Sequence, residues 1–108
     1  MRESAAAYEQ VTRIDPTNPR AFAGLGSAFL RMNDARRAAA AYRQAVALSP
    51  GNPSFHAFLG EALAASGDRA AAESEYRQAL AIQPNNFIAS SGLSRLGAQA
   101  NRQASGAI

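Results

Sequence analysis

The chain has 108 residues, eleven basic and eight acidic side chains, a single histidine, a net charge of +3 and no cysteine. A disulfide framework and a thiolate metal site are therefore excluded. No apolar run is long enough to cross a bilayer, which excludes direct membrane insertion. All the basic residues are arginine and alanine is abundant, a bias that suggests a bacterial coding sequence. Carboxylates are interspersed among the arginines without blocks of like charge. The basic balance permits nucleic-acid contact, but the mixture disfavours it. The opening MRESAAAYEQ has no continuous apolar core and does not read as a secretory signal.

In chain order, the segment from about Ser4 to Ile14 predicts an amphipathic helix, with Glu9 and Arg13 spaced as a surface pair. Pro16 biases Asp15 away from helix and closes it. Asn18-Pro19 opens the next helix, because Asn caps well and proline in a first turn loses no hydrogen bond. That helix runs from about Pro19 to Met32, with Phe22, Leu25, Phe29 and Met32 as its apolar stripe. Asn33-Asp34 predicts a left-handed helix end followed by a new cap. A helix over Ala35–Leu48 follows, with Ala38, Ala41 and Ala45 as its small face. Asn52-Pro53 then repeats the opening device and Gly67-Asp68 the turn, and a further helix spans Arg69–Ile82. Asn86 retains the cap, with Phe87 in place of proline.

These signals recur every 34 residues. Asn18, Pro19, Leu25, Gly26, Asp34, Ala38, Tyr42, Gln44 and Pro50 return as Asn52, Pro53, Leu59, Gly60, Asp68, Ala72, Tyr76, Gln78 and Pro84. Residues 1–18 match only the second half of the unit, through Tyr8, Gln10, Ile14, Pro16 and Asn18. Residues 19–52 and 53–86 are full units. Residues 87–108 begin a third, with Leu93, Ser94 and Asn101 in phase and Ala104–Ile108 as the expected start of another helix. Cut in phase at both ends, the chain reads as a piece of a longer array; a C-terminal cap over 87–108 is the alternative.

The units resemble the tetratricopeptide repeat, through Phe22, Leu25-Gly26, Phe29, Ala38, Tyr42 and Pro50 in one and His56, Leu59-Gly60, Leu63, Ala72, Tyr76 and Pro84 in the next. The resemblance implies an all-α fold, a right-handed α-solenoid of stacked antiparallel helix pairs. It also implies a concave groove lined by the first helices. The lining would be Arg20, Ala23, Ser27, Leu30 and Arg31, then Ser54, Ala57, Phe58, Glu61 and Ala64, then Ile88, Ser91 and Arg95. One subtype of the family clamps an acidic chaperone tail with lysine, asparagine and arginine. Its places correspond here to Ala23, Ser27, Phe58, Ile88 and Gly92, and none matches, which disfavours that clamp.

Catalytic chemistry finds no foothold. His56 stands where Phe22 stands one unit earlier and reads as a packing residue, without a second His or a Cys to share a metal. Gly24-Leu25-Gly26 lies inside a helix, without the strand and lysine of a phosphate loop. Glu73 and Glu75 are two apart and point to different helix faces. The sequence thus predicts no enzyme, no cofactor, no metal and no small-molecule substrate. The expected function is a protein–protein interaction scaffold whose partner is a protein or peptide segment held in the groove. Self-association through uncovered end helices is a second possibility. A nucleic-acid-binding repeat and the non-catalytic repeat region of a larger enzyme are the alternatives, and a role in secretion, pilus or envelope assembly follows by analogy only.

Overall fold

The described residues form α1 (Arg2–Ile14), α2 (Pro19–Arg31), α3 (Ala35–Leu48), α4 (Pro53–Ala65), α5 (Arg69–Ile82) and α6 (Phe87–Gly106). They belong to a computed structural model that describes residues 2–106, with side chains through residue 99. Helix starts follow the caps read from the sequence. Asn18 Oδ1 accepts from the amides of Arg20 and Ala21 at 3.1 and 3.3 Å, and Asn52 Oδ1 from those of Ser54 and Phe55 at 2.9 and 3.4 Å. Asn86 Oδ1 accepts from Ala89 at 2.9 Å, so the third unit keeps the device without its proline.

The turns inside the two full units are the same motif twice. Asn33 and Gly67 take left-handed φ values of 62° and 92°. Asp34 N–H then donates to the Phe29 carbonyl and Asp68 N–H to that of Leu63, each at 2.9 Å, satisfying the ends of α2 and α4. Asp34 and Asp68 go on to cap α3 and α5 through the amides of Arg37 and Ala71.

The third unit departs from expectation. Asn101 does not end a helix, and α6 runs unbroken for 20 residues through Ala104 to Gly106. The predicted new helix from Ala104 is therefore replaced by the end of α6, and Ala107 and Ile108 lie outside the described residues. Arg102 follows Asn101 where Asp follows Asn33 and Gly67, and a guanidinium has no acceptor with which to cap a new helix.

Short turns make each pair antiparallel, and the pairs stack into a slab of 53 × 29 × 17 Å. α2 touches α4 and α4 touches α6, whereas α1, α3 and α5 touch none of one another. The first helices of the units therefore lie on the inside of the bend and the second helices on the outside. The core is largely alanine, joined by Leu25, Phe29, Tyr42, Leu59, Leu63 and Tyr76. Small residues let the axes approach, and the larger rings key the layers together.

His56 is buried as its position demands, yet it is more than a filler. Its Nε2 lies 2.7 Å from the Pro50 carbonyl and its Nδ1 2.7 Å from Glu75 Oε2. A carbonyl cannot donate, so Nε2 carries a hydrogen and a further proton lies between Nδ1 and the carboxylate. One unit earlier the equivalent places hold Phe22 and Ala41, an apolar pair of residues. We expect His56→Phe and Glu75→Ala each to cost about 1–3 kcal/mol in urea unfolding, since one strands the partly buried Glu75 carboxylate and the other the buried His56 ring. The double variant should recover most of that loss, because it leaves neither side chain polar and restores the Phe and Ala found at the equivalent places 22 and 41. Additive losses would show that the two side chains act independently.

Candidate binding groove

α2, α4 and α6 present their inward faces side by side, and the residues expected there fall into three groups. Arg20, Arg31 and Arg95 are exposed. Ala23, Ser27, Leu30, Ser54, Phe58, Glu61, Ala64, Ile88 and Ser91 are partly exposed, and Ala23, Leu30, Phe58, Ala64 and Ile88 among them also pack on the core. Ala57 departs from the expected lining. It is 0% exposed and cannot touch a ligand, because its methyl lies in the packed layer beneath the face. The floor is therefore small and apolar, with polar groups placed one repeat apart.

Ser27, Glu61 and Arg95 occupy equivalent places, and the last two are joined. Arg95 Nη2 donates to Glu61 Oε1 at 3.2 Å, bridging α6 to α4 across the floor. Both side chains remain solvated, so the pair contributes at most about 1 kcal/mol. Arg20 and Arg31 make no ion pair among the described residues. On the outer helices Arg37 pairs with Asp34 at 3.3 Å and Arg77 with Glu73, while Arg36 and Arg43 make no ion pair among the described residues. The arginines are thus divided between the two faces, and the unneutralised charge of the inner one is positive.

Two residues that the sequence assigned to layer packing also reach this face. Burial raises the Tyr42 phenol above its ordinary value; the Ser27 hydrogen bond and Arg31 oppose this, and Glu61 adds to it. Burial likewise raises that of Tyr76, reinforced by Glu61 and opposed by Arg95 through its charge and a hydrogen bond. Each hydroxyl therefore meets a groove side chain. The signal was present in the choice of Tyr over Phe at each repeat, since a buried phenol seeks a partner.

The ring positions explain the glycines. A Cβ on Gly26 would lie 2.9 Å from Tyr42 ring atoms, and one on Gly60 2.7 Å from those of Tyr76. It is a ring, more than a backbone, that occupies the space left by the missing side chain. Gly92 offers Tyr76 a second such notch from α6. Among the described residues no three His, Asp or Glu side chains gather as a metal site.

A family model described as the tetratricopeptide repeat matches residues 2–53, 23–87 and 59–107. The chain belongs to the tetratricopeptide repeat family. Similar solved structures include the first such domain of human RPAP3, at 28% identity and TM-score 0.87 over 96% of this chain and 83% of that one. Another is the first such domain of Spaghetti (RPAP3) bound to the HSP90 peptide SRMEEVD, at 26% identity and TM-score 0.85 over 90% and 77%. The O-GlcNAc transferase of Thermobaculum terrenum matches at 35% identity and TM-score 0.79, over 86% of this chain but 18% of that protein. No curated protein matches the chain. Tetratricopeptide repeats of this kind serve protein–protein interaction, and peptide-bound domains stand among the structures similar to this one.

The two raised phenols set the behaviour of this repeat array in alkali. Folding holds both rings neutral, so above about pH 10 the unfolded chain releases protons that the folded chain keeps, and stability falls as pH rises. With no lysine, the tyrosines are the side chains that titrate in this range. Tyrosinate absorbance from Tyr42 and Tyr76 should therefore appear together with loss of helical circular dichroism. Their full ionisation in a still-helical protein would contradict the burial.

Proposed function

We propose that this tetratricopeptide repeat chain holds a peptide or partner segment along its concave face, and that the segment is acidic. The observation that carries this reading is charge: Arg20, Arg31 and Arg95 stand over a floor of small and apolar residues, and Glu61 is the one carboxylate among the groove residues, already paired with Arg95. An extended acidic segment meets such a face through charge-assisted contacts to guanidinium groups. The Spaghetti domain bound to SRMEEVD supports the general mode. Its clamp does not transfer, because Ala23, Ser27, Phe58, Ile88 and Gly92 offer no cationic side chain at the corresponding places. The arginine-only basic set supports a place in a larger bacterial protein, and a role in secretion, pilus or envelope assembly follows by fold analogy.

The test is a selection of random peptides on the immobilised protein, followed by titration of the selected sequences. Arg31→Glu and Phe58→Ala should each weaken them about tenfold, the size of one good contact. Arg36→Glu and Arg43→Glu, on the outer helix, should leave them unchanged. Equal losses from both faces would overturn the groove.

A second reading, self-association, has its own observation. Ala7 and Val11 of α1 are exposed, while their counterparts Ala41 and Ala45 in α3 are buried. At the other end a cleft of about 500 Å³ between α5 and α6 is lined in part by Leu93, Leu96 and Gly97. Copies stacked head to tail would cover both. Light scattering should then give a mass that rises with concentration and persists in high salt, and that falls to monomer with Val11→Glu. A mass independent of concentration would remove this reading. The match to an O-GlcNAc transferase favours a third, a repeat region beside a catalytic domain. A flanking gene sequence without such a domain would dismiss it.

A further inference from the structure

Equivalent positions at the two junctions between units carry opposite side chains. Where α2 meets α4, Leu30 and Phe58 pack on the core, and the Phe58 ring lies 5.7 Å from that of Tyr42, tilted by 33°. One repeat later, where α4 meets α6, the same places hold Ala64 and Gly92. An isobutyl group has become a methyl, and a benzyl group a hydrogen. Beside them is a cavity of about 270 Å³, walled by Glu61, Ala64, Tyr76, Gly92, Arg95 and Leu96.

Tyr76 does not close this space. Its ring is already held between Gly60 and Gly92, where a Cβ would lie 2.7 and 2.6 Å from Cε1. The ring therefore serves as a fixed floor. The volume is below the roughly 300–1,000 Å³ of pockets that enclose small molecules, and suits a single side chain. The rim supplies polarity, because Arg95 keeps further N–H donors beyond the one given to Glu61.

We propose that this cavity is an anchor subsite that seats one large apolar side chain of a partner polypeptide, whose neighbouring carboxylate meets Arg95. The inference rests on the concave face being a polypeptide groove, and adds to it where the segment is gripped and by what. At the first junction Leu30 and Phe58 of the chain itself pack into the equivalent place. The second has exchanged its own apolar filling for one brought by the partner, which sets the register of the bound segment.

The test compares random-peptide selections on the native chain and on Ala64→Leu, which restores the side chain of position 30. Ala64→Val serves as a milder filler if the leucine lowers the melting temperature. Peptides selected on the native chain should share an aromatic or branched aliphatic residue beside an acidic one. Their affinity should fall about tenfold or more, the scale for a mismatched apolar pocket, both on the filled variants and when the anchor becomes alanine. The two losses should not add. Acidic peptides selected without a common apolar residue would overturn the subsite and leave the groove standing, as would anchored peptides that bind the filled variants equally well. Failure to select any peptide on either protein would overturn both.

Discussion

The contact on which this array depends is a tyrosine ring set into a glycine notch. Each second helix carries one such ring, and each meets a glycine on a first helix: Tyr8 at Gly24, Tyr42 at Gly26, and Tyr76 at both Gly60 and Gly92. A glycine inside a helix costs about 1 kcal/mol relative to alanine. Burying a large apolar side chain contributes about 1.5–3 kcal/mol, so the exchange favours the notch even before the tighter packing of neighbouring alanines is added. The ring also fixes the distance between layers, because neither a planar aromatic nor a bare Cα can adjust its size. Curvature follows from the same arrangement. Inner helices touch one another across the units while outer ones do not, and the surface so gathered carries Arg20, Arg31 and Arg95.

A repeat lets chemistry be exchanged at one contact without disturbing the next, since each unit packs only on its neighbours. The His56–Glu75 pair shows this within the core. It replaces Phe22–Ala41 by a ring and a carboxylate, and it also reaches back to the Pro50 carbonyl in the connector before α4. Every polar atom so buried is served, and among the described residues no buried side-chain polar atom is left without a partner. On the inner face the series Ser27, Glu61, Arg95 does the same in solvent, turning one hydroxyl position into an ion pair between α4 and α6. The frame stays constant because glycine, alanine and tyrosine hold it, while the places around it vary both in the core and on the inner face.

What the sequence by itself determined was everything that depends on local geometry and on period. Asn and Asp caps, the left-handed Asn33 and Gly67, the prolines at helix starts and the 34-residue recurrence all act within a few residues, and each lies where the chain order predicts. The fold class follows, because two units in phase leave few other ways to bury their stripes. The exception at Asn101 was legible too, in the missing aspartate after it. Tertiary structure decided what depends on residues far apart in the chain. It placed Ala57 beneath the inner face, gave His56 its two hydrogen-bond partners, joined Arg95 to Glu61 and brought the tyrosine hydroxyls up to the groove. It also made a cavity beside Ala64 and Gly92, two small residues whose effect appears only when α4 and α6 lie together. Periodicity says which face a side chain takes, whereas partners and voids arise from the packing of one helix on another.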